Sequence, residues 1–185
     1  MTETTISTGP GPGPGPGPGP GQRLLDRIAD IAIHVAVAAL LGLVVVQGWQ
    51  VFARYVINDS PSWTEPVTLL LLATAMSLGA ACGVHTNRHF GFFLLHAYMG
   101  AGLRRVVDVF TQLVVAVLGG FIAFWSADLL LDGMDIKTAG ANLPQSINYL
   151  PLAVGGALML LFALNRAWKA LHAAAADADD AEGDR

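Results

Sequence analysis

The sequence predicts an all-α integral membrane protein with four transmembrane helices. Three observations carry that expectation. The 185 residues are 54% hydrophobic and only 13% charged, with a mean hydropathy of +0.54. That is too little charge to cover a soluble domain of this length. The apolar residues gather into four runs, each long enough to cross a hydrocarbon core of about 30 Å. Basic residues collect in the segments that fall on one side when those runs are threaded through a bilayer. The formal charge of −4 says little, since five of the 14 acids lie in the last nine residues. Cys82 is the only cysteine, so no internal disulfide can form. No Cys/His spacing of zinc-site type is present either.

Residues 1–22 are expected to be a disordered tail. From Gly9 to Pro20 the chain repeats Gly-Pro six times. Collagen needs glycine at every third position, and here it falls at every second. Proline removes donors and glycine adds freedom, which favours a solvated, extended chain. The transmembrane domain follows over residues 23–170.

The first span is predicted at about 28–53. From Ile31 to Ala53 there is no Asp, Glu, Lys or Arg for 23 residues, a helix about 34 Å long. A secretory signal has an apolar region of only about 7–15 residues, so the run is a retained span. His34 lies one turn inside it. As a functional group it would be a haem or proton-relay ligand. The plainer expectation is a neutral histidine near the headgroups, bonded to a backbone carbonyl or water.

Between the first two spans lies the least ordinary stretch, Trp49 to Pro66. Trp49, Tyr55 and Trp63 are amphipathic rings suited to the membrane–water interface. Arg54 closes one run and Glu65 opens the next, with Asn58, Asp59, Ser60 and Pro61 as a turn cluster between them. Arg54 and Glu65 are either an electrostatic pair that sets the angle between the spans or two independent anchors.

The second span is predicted at 65–84. Ser62 and Glu65 have capping-box spacing, and Pro66 suits a first helical turn, so Ser62 or Thr64 should cap this helix. Ala75, Gly79 and Gly83 recur at i+4, as do Ala73, Ser77 and Ala81. Such rows let helix backbones approach closely in lipid. Over 85–105, His85, Arg88, His89 and His96 mix with Phe90, Phe93, Leu94 and Ala97. The pattern predicts a short amphipathic helix lying in the interface. His85 and His89, at i and i+4, are a weak metal pair. Arg104 and Asp108 have ion-pair spacing.

The third span is predicted at 106–127, with Gly119-Gly120 near its centre and Ala116 and Gly120 as a small-residue pair. Asp128, Asp132 and Asp135 then form an acidic turn without an EF-hand liganding pattern. The fourth span is predicted at 145–164. Pro144 suits a helix start. Pro151 lies inside the span and frees the carbonyl of Ile147, which predicts a kink. Ala153, Ala157, Gly155 and Gly156 provide close-packing surface, and Arg166, Trp168 and Lys169 anchor the exit. The alanines and acids of residues 171–185 are expected to form a frayed helical extension and a disordered acidic tail.

Eight basic residues fall on one side of this arrangement: Arg23, Arg27, Arg88, Arg104, Arg105, Arg166, Lys169 and Arg185. Only Arg54 and Lys137 fall on the other. The positive-inside rule then places both termini in the cytoplasm. No ionisable Asp, Glu, Lys or Arg lies in the central turns of any span. A charge there costs about 2.5–3.5 kcal/mol, and function usually supplies the reason to keep one. The pattern argues against a pump that works alone, and towards a helical partner of a larger membrane protein. Two alternatives remain: an anchor or assembly subunit of a redox complex, and a small homodimeric exporter.

Arg54-Tyr55-Val56-x-Asn58, followed by Trp63-x-Glu65, resembles the signature of the small membrane subunit (DctQ-like) of TRAP transporters, the tripartite ATP-independent periplasmic transporters. Gly79-Ala80 followed by Arg88-His89 resembles the end of that family's second span. Leu143-Pro144 followed by Tyr149-Leu150-Pro151 and Gly155 resembles its fourth. The resemblance covers about Arg23 to Lys169. Pro66 stands where many members have a second acid, and Gly91-Phe92-Phe93 where many have an aspartate. The resemblance implies a multi-pass protein of the bacterial inner membrane. It implies a large membrane subunit (DctM-like), which carries the substrate and sodium sites, as partner. A periplasmic binding protein (DctP-like) delivers an organic acid. The small subunit then widens the immobile scaffold and can help to dock the binding protein. No catalytic, cofactor or metal residue and no nucleic acid is implied. The residues expected at partner interfaces or as interfacial anchors are Trp49, Arg54, Tyr55, Asn58, Trp63, Glu65, Arg88, Pro144, Tyr149, Pro151 and Gly155.

Overall fold

The computed structural model describes residues 19–59, 61–86, 101–134, 136–137 and 144–183, with the side chains of 101–105 and 173–183 excepted. The interfacial helix expected over 85–105 falls largely on 87–100, outside the described residues, as do Arg88 and the His85–His89 pairing. The described residues are helical apart from short connections. The four main helices are α1 (Pro20–Phe52), α2 (Thr64–Thr86), α3 (Ala101–Asp132) and α4 (Leu150–Gly183). A π turn (Ala53–Ile57) closes α1, and a 3-10 helix (Gln145–Asn148) precedes α4. All four main helices are long and apolar enough to cross a membrane.

Several boundaries differ from expectation. Helix α1 begins at Pro20, inside the stretch expected to be disordered. Proline is well tolerated at a first helical position, because its missing N–H would have had no partner there. Helix α3 carries Asp128 and Asp132, which were expected in a turn. Gly133 ends it, donating its N–H to the Leu129 carbonyl at 3.0 Å. Helix α4 runs on to Gly183 and so takes in the helical extension expected of the alanine-rich stretch after 170. The alanines of that stretch are the strongest helix formers and outweigh the acids.

The fourth span also starts differently. Pro144 precedes the 3-10 turn, not the α-helix, and Pro151 is the second residue of α4. The expected mid-helix kink is therefore absent. The chain breaks at Tyr149, and Pro151 occupies a first-turn position where no intrahelical bond is lost. The carbonyl of Pro151 accepts a 2.8 Å bond from Ser77 Oγ.

The helices lie in the order α1, α2, α4, α3, each packed on the next. Among the described residues the row is open, with α1 and α3 as its flanks. Its packing relies on small residues. Ala29, Ala32, Ala36 and Ala39 form the buried stripe of α1. Ala81, Cys82 and Val84 meet them from α2, and Phe162 and Ala163 complete the core from α4. Cys82 Sγ donates to the Ala29 carbonyl at 3.3 Å. In lipid, such close backbone approach replaces the hydrophobic drive of a soluble core.

Glycines set the α3–α4 and α2–α4 contacts. A Cβ on Gly156 would stand 2.7 Å from Ala123 N, and one on Gly119 would stand 2.9 Å from Leu160 N. A Cβ on Gly155 would fall 2.5 Å from Ser77 Cβ. The row buries little of itself. Only 11% of the most apolar window of α3 is buried inside the chain, against 28% for α4. The outer faces of α1 and α3 carry Val44, Val45, Phe52, Phe110, Phe121 and Phe124, all exposed.

Candidate functional site

The α1–α2 turn forms one candidate site. Its backbone is set by Asn58, which takes the left-handed conformation with φ 59°. The Asn58 and Asp59 N–H groups both converge on the Ala53 carbonyl, the latter at 3.1 Å. This satisfies a carbonyl that the end of the helix would leave unpaired. Asparagine tolerates this conformation better than other residues with a side chain beyond Cβ. Across the turn, Thr64 begins α2 and is fully buried. Its hydroxyl donates to the Pro61 carbonyl at 2.8 Å. Thr64 thus ties the turn together and lies within the helix, so of the two expected caps, Ser62 or Thr64, it is not the capping residue.

Ala53, Thr64 and Pro66 fill the inside of this turn, Pro61 is half-buried, and the other described residues from Arg54 to Glu65 are exposed. Tyr55 is 80% exposed, Trp49 46% and Trp63 44%. Trp49 leans on Phe52, with ring centroids 6.0 Å apart. Arg54 and Glu65 are both exposed, and among the described residues no ion pair joins them. The expected site residues of the fourth span divide. Pro144 is exposed and bridges to Lys137. Tyr149 is half-buried, while Pro151 and Gly155 are taken up in the α2–α4 contact.

A second constellation lies at the opposite end, where both terminal helices finish. Sequence reasoning missed it. Asp26 Oδ1 of α1 lies 2.9 Å from His85 Nε2 of α2 and accepts a 2.8 Å bond from Gln22 Nε2. The His85 ring also lies tilted against Phe162 of α4, with centroids 4.7 Å apart. Arg166 Nη1 donates to the carbonyls of Val84 and His85, at 3.3 and 3.1 Å. It thereby caps the C-terminus of α2, where a cation also meets the negative end of the helix dipole. Lys169 Nζ donates to Gln22 Oε1. Asp108 of α3 acts electrostatically on Arg166. Three helices are thus stitched by polar contacts, with a carboxylate from the fourth close by. The signal in the sequence was His85 and Asp26 at matching depths of two neighbouring spans. Among the described residues His85 is engaged with an acid, Asp26. His34 is exposed, with Nδ1 2.6 Å from the Asp30 carbonyl. A carbonyl only accepts, so Nδ1 holds the proton.

The turn, the small-residue spans and the exit anchors now have a known counterpart. The family described as "Tripartite ATP-independent periplasmic transporters, DctQ component" matches residues 43–173. The chain belongs to this family. No curated protein matches the chain. The DctQ match opens in the middle of α1 and takes in the turn, α2, α3 and the apolar length of α4. The chain is therefore a small TRAP transporter subunit, a multi-pass membrane protein and a transporter component rather than an enzyme. Ala29, Ala32, Ala36 and Ala39, like Gln22 and Asp26, lie before the matched region.

Proposed function

We propose that this DctQ-family chain is the small permease subunit of a sodium-coupled TRAP transporter in the bacterial inner membrane. It braces a large DctM-like subunit, which imports an organic acid delivered by a DctP-like periplasmic binding protein. The observation that carries the reading is the open row of helices. Its flanks, α1 and α3, present long apolar faces that are exposed among the described residues. Among the described residues, the buried polar side chains are Thr64, Ser126 and Ser146, none of them ionisable. A row with broad apolar sides and no charged interior suits a brace better than a carrier. The exposed Trp49, Arg54, Tyr55, Trp63 and Glu65 then form an anchored rim at the periplasmic end, open to the large subunit or to the docked binding protein. Both termini and the Asp26–His85–Arg166 cluster lie on the cytoplasmic side, in keeping with the distribution of basic residues.

Reconstitution tests this. Proteoliposomes containing the large subunit, the binding protein and this chain should accumulate an organic acid when a sodium gradient is imposed. Omitting this chain should abolish or strongly reduce uptake. Uptake by the chain alone, or equal uptake without it, would overturn the proposal.

A further inference from the structure

The geometry points to a binding site for the phosphodiester headgroup of an anionic membrane lipid, at the end of the row where α1, α2 and α4 meet. A cavity of about 400 Å³ opens there, lined by Gln22, His85, Asn165, Arg166 and Lys169. The charged residues that line it, Arg166 and Lys169, are both cations, and the other polar side chains can all donate hydrogen bonds. Arg166 is held in place by its two bonds to the end of α2. Its Nε is nevertheless buried and has no acceptor among the described residues. A buried donor on a fixed guanidinium lacks the acceptor that an anionic oxygen would supply.

The depth fits a headgroup. The apolar run of α4 ends at Leu164, and Arg166 and Lys169 lie within the next turn and a half. A cavity at that level faces the phosphate layer of a bilayer, and basic pockets between transmembrane helices are recognised lipid headgroup sites. The nearby acids stand outside the cavity, although Asp108 acts electrostatically on Arg166. Asp26 is occupied by His85 and Gln22, and neither it nor Asp108 lines the space. A lipid seated there would join α1, α2 and α4 from outside. This inference does not depend on the transporter reading.

The test is native mass spectrometry of the full chain, stripped of lipid in detergent and titrated with phosphatidylglycerol, phosphatidylcholine or inorganic phosphate. Phosphatidylglycerol should bind saturably and phosphatidylcholine much more weakly. Lys169→Gln should weaken phosphatidylglycerol binding about fivefold, the share expected of one cation near anionic lipid. Lys137→Gln, at the opposite end, should leave it unchanged. Arg166→Gln should weaken binding further, but it also uncaps α2, so Lys169→Gln is the deciding variant. Equal binding by wild type and Lys169→Gln would overturn the site. Binding without saturation would also overturn it. Full competition by inorganic phosphate would overturn the lipid source and leave a free anion as the ligand.

Discussion

Gly156→Ala is the sharpest test of the packing. A methyl at Gly156 would lie 2.7 Å from Ala123 N, 2.9 Å from the Gly119 carbonyl oxygen and 3.1 Å from Ala123 Cα. All three are backbone atoms of α3, so no side chain can swing aside. Ordinary contact begins near 3.4 Å, so α3 and α4 would have to separate by about 0.7 Å. Overpacking of this kind costs about 1–3 kcal/mol. Alanine returns up to about 1 kcal/mol through helix propensity. The expected net loss is about 0–2 kcal/mol against wild type, and about 1–3 kcal/mol against a glycine-to-alanine control that gains the same propensity without the clash. Gly79→Ala is the matched control, because a Cβ there meets nothing within 4 Å. It changes the same residue type in the neighbouring helix and should be neutral or slightly stabilising. Unfolding in mixed micelles, followed by circular dichroism as the denaturing detergent fraction rises, reads both. If Gly156→Ala unfolds at the same detergent fraction as Gly79→Ala, or later, then α3 and α4 do not cross at Gly119 and Gly156.

Other outcomes follow from the turn and the polar end. Asn58→Val should lower thermal stability by about 1–2 kcal/mol, because a β-branched residue resists the left-handed conformation, while Asn58→Gly should be tolerated. Reversing Arg54 and Glu65 together should not rescue complex assembly beyond the better single reversal, as judged by co-purification with the large subunit. Rescue would mean that assembly brings the two side chains into a pair. Asp26→Asn and His85→Gln should be non-additive in unfolding measurements, with a coupling of about 1 kcal/mol for a partly exposed pair. Strict additivity would remove the α1–α2 bond from the account.

Much of the architecture was legible in the chain, because a bilayer imposes simple demands. Four runs without ionised residues had to be four helices, since backbone groups in hydrocarbon must bond within their own segment. The turn at Asn58 and the exposure of the rings at Trp49, Tyr55 and Trp63 followed from local chemistry. The family motif was readable from the same stretch.

Helix order and helix pairing were not legible. Lipid and neighbouring protein are equally apolar, so hydropathy does not say which face of α1 or α3 meets which. Glycine rows marked surfaces able to pack, yet a Cβ on Gly79 would meet nothing within 4 Å among the described residues, while one on Gly155 would strike Ser77. The alanine stripe of α1, spaced three and four residues apart from Ala29 to Ala39, was in plain view, but its role depended on α2 lying against it. The bond between Asp26 and His85 spans 59 residues of sequence, and only the alignment of two helices brings its ends together. Composition thus determined how many times the chain crosses and where it turns. The tertiary structure alone decided which small residues meet and which charges become neighbours, because both depend on the relative rotation and depth of helices.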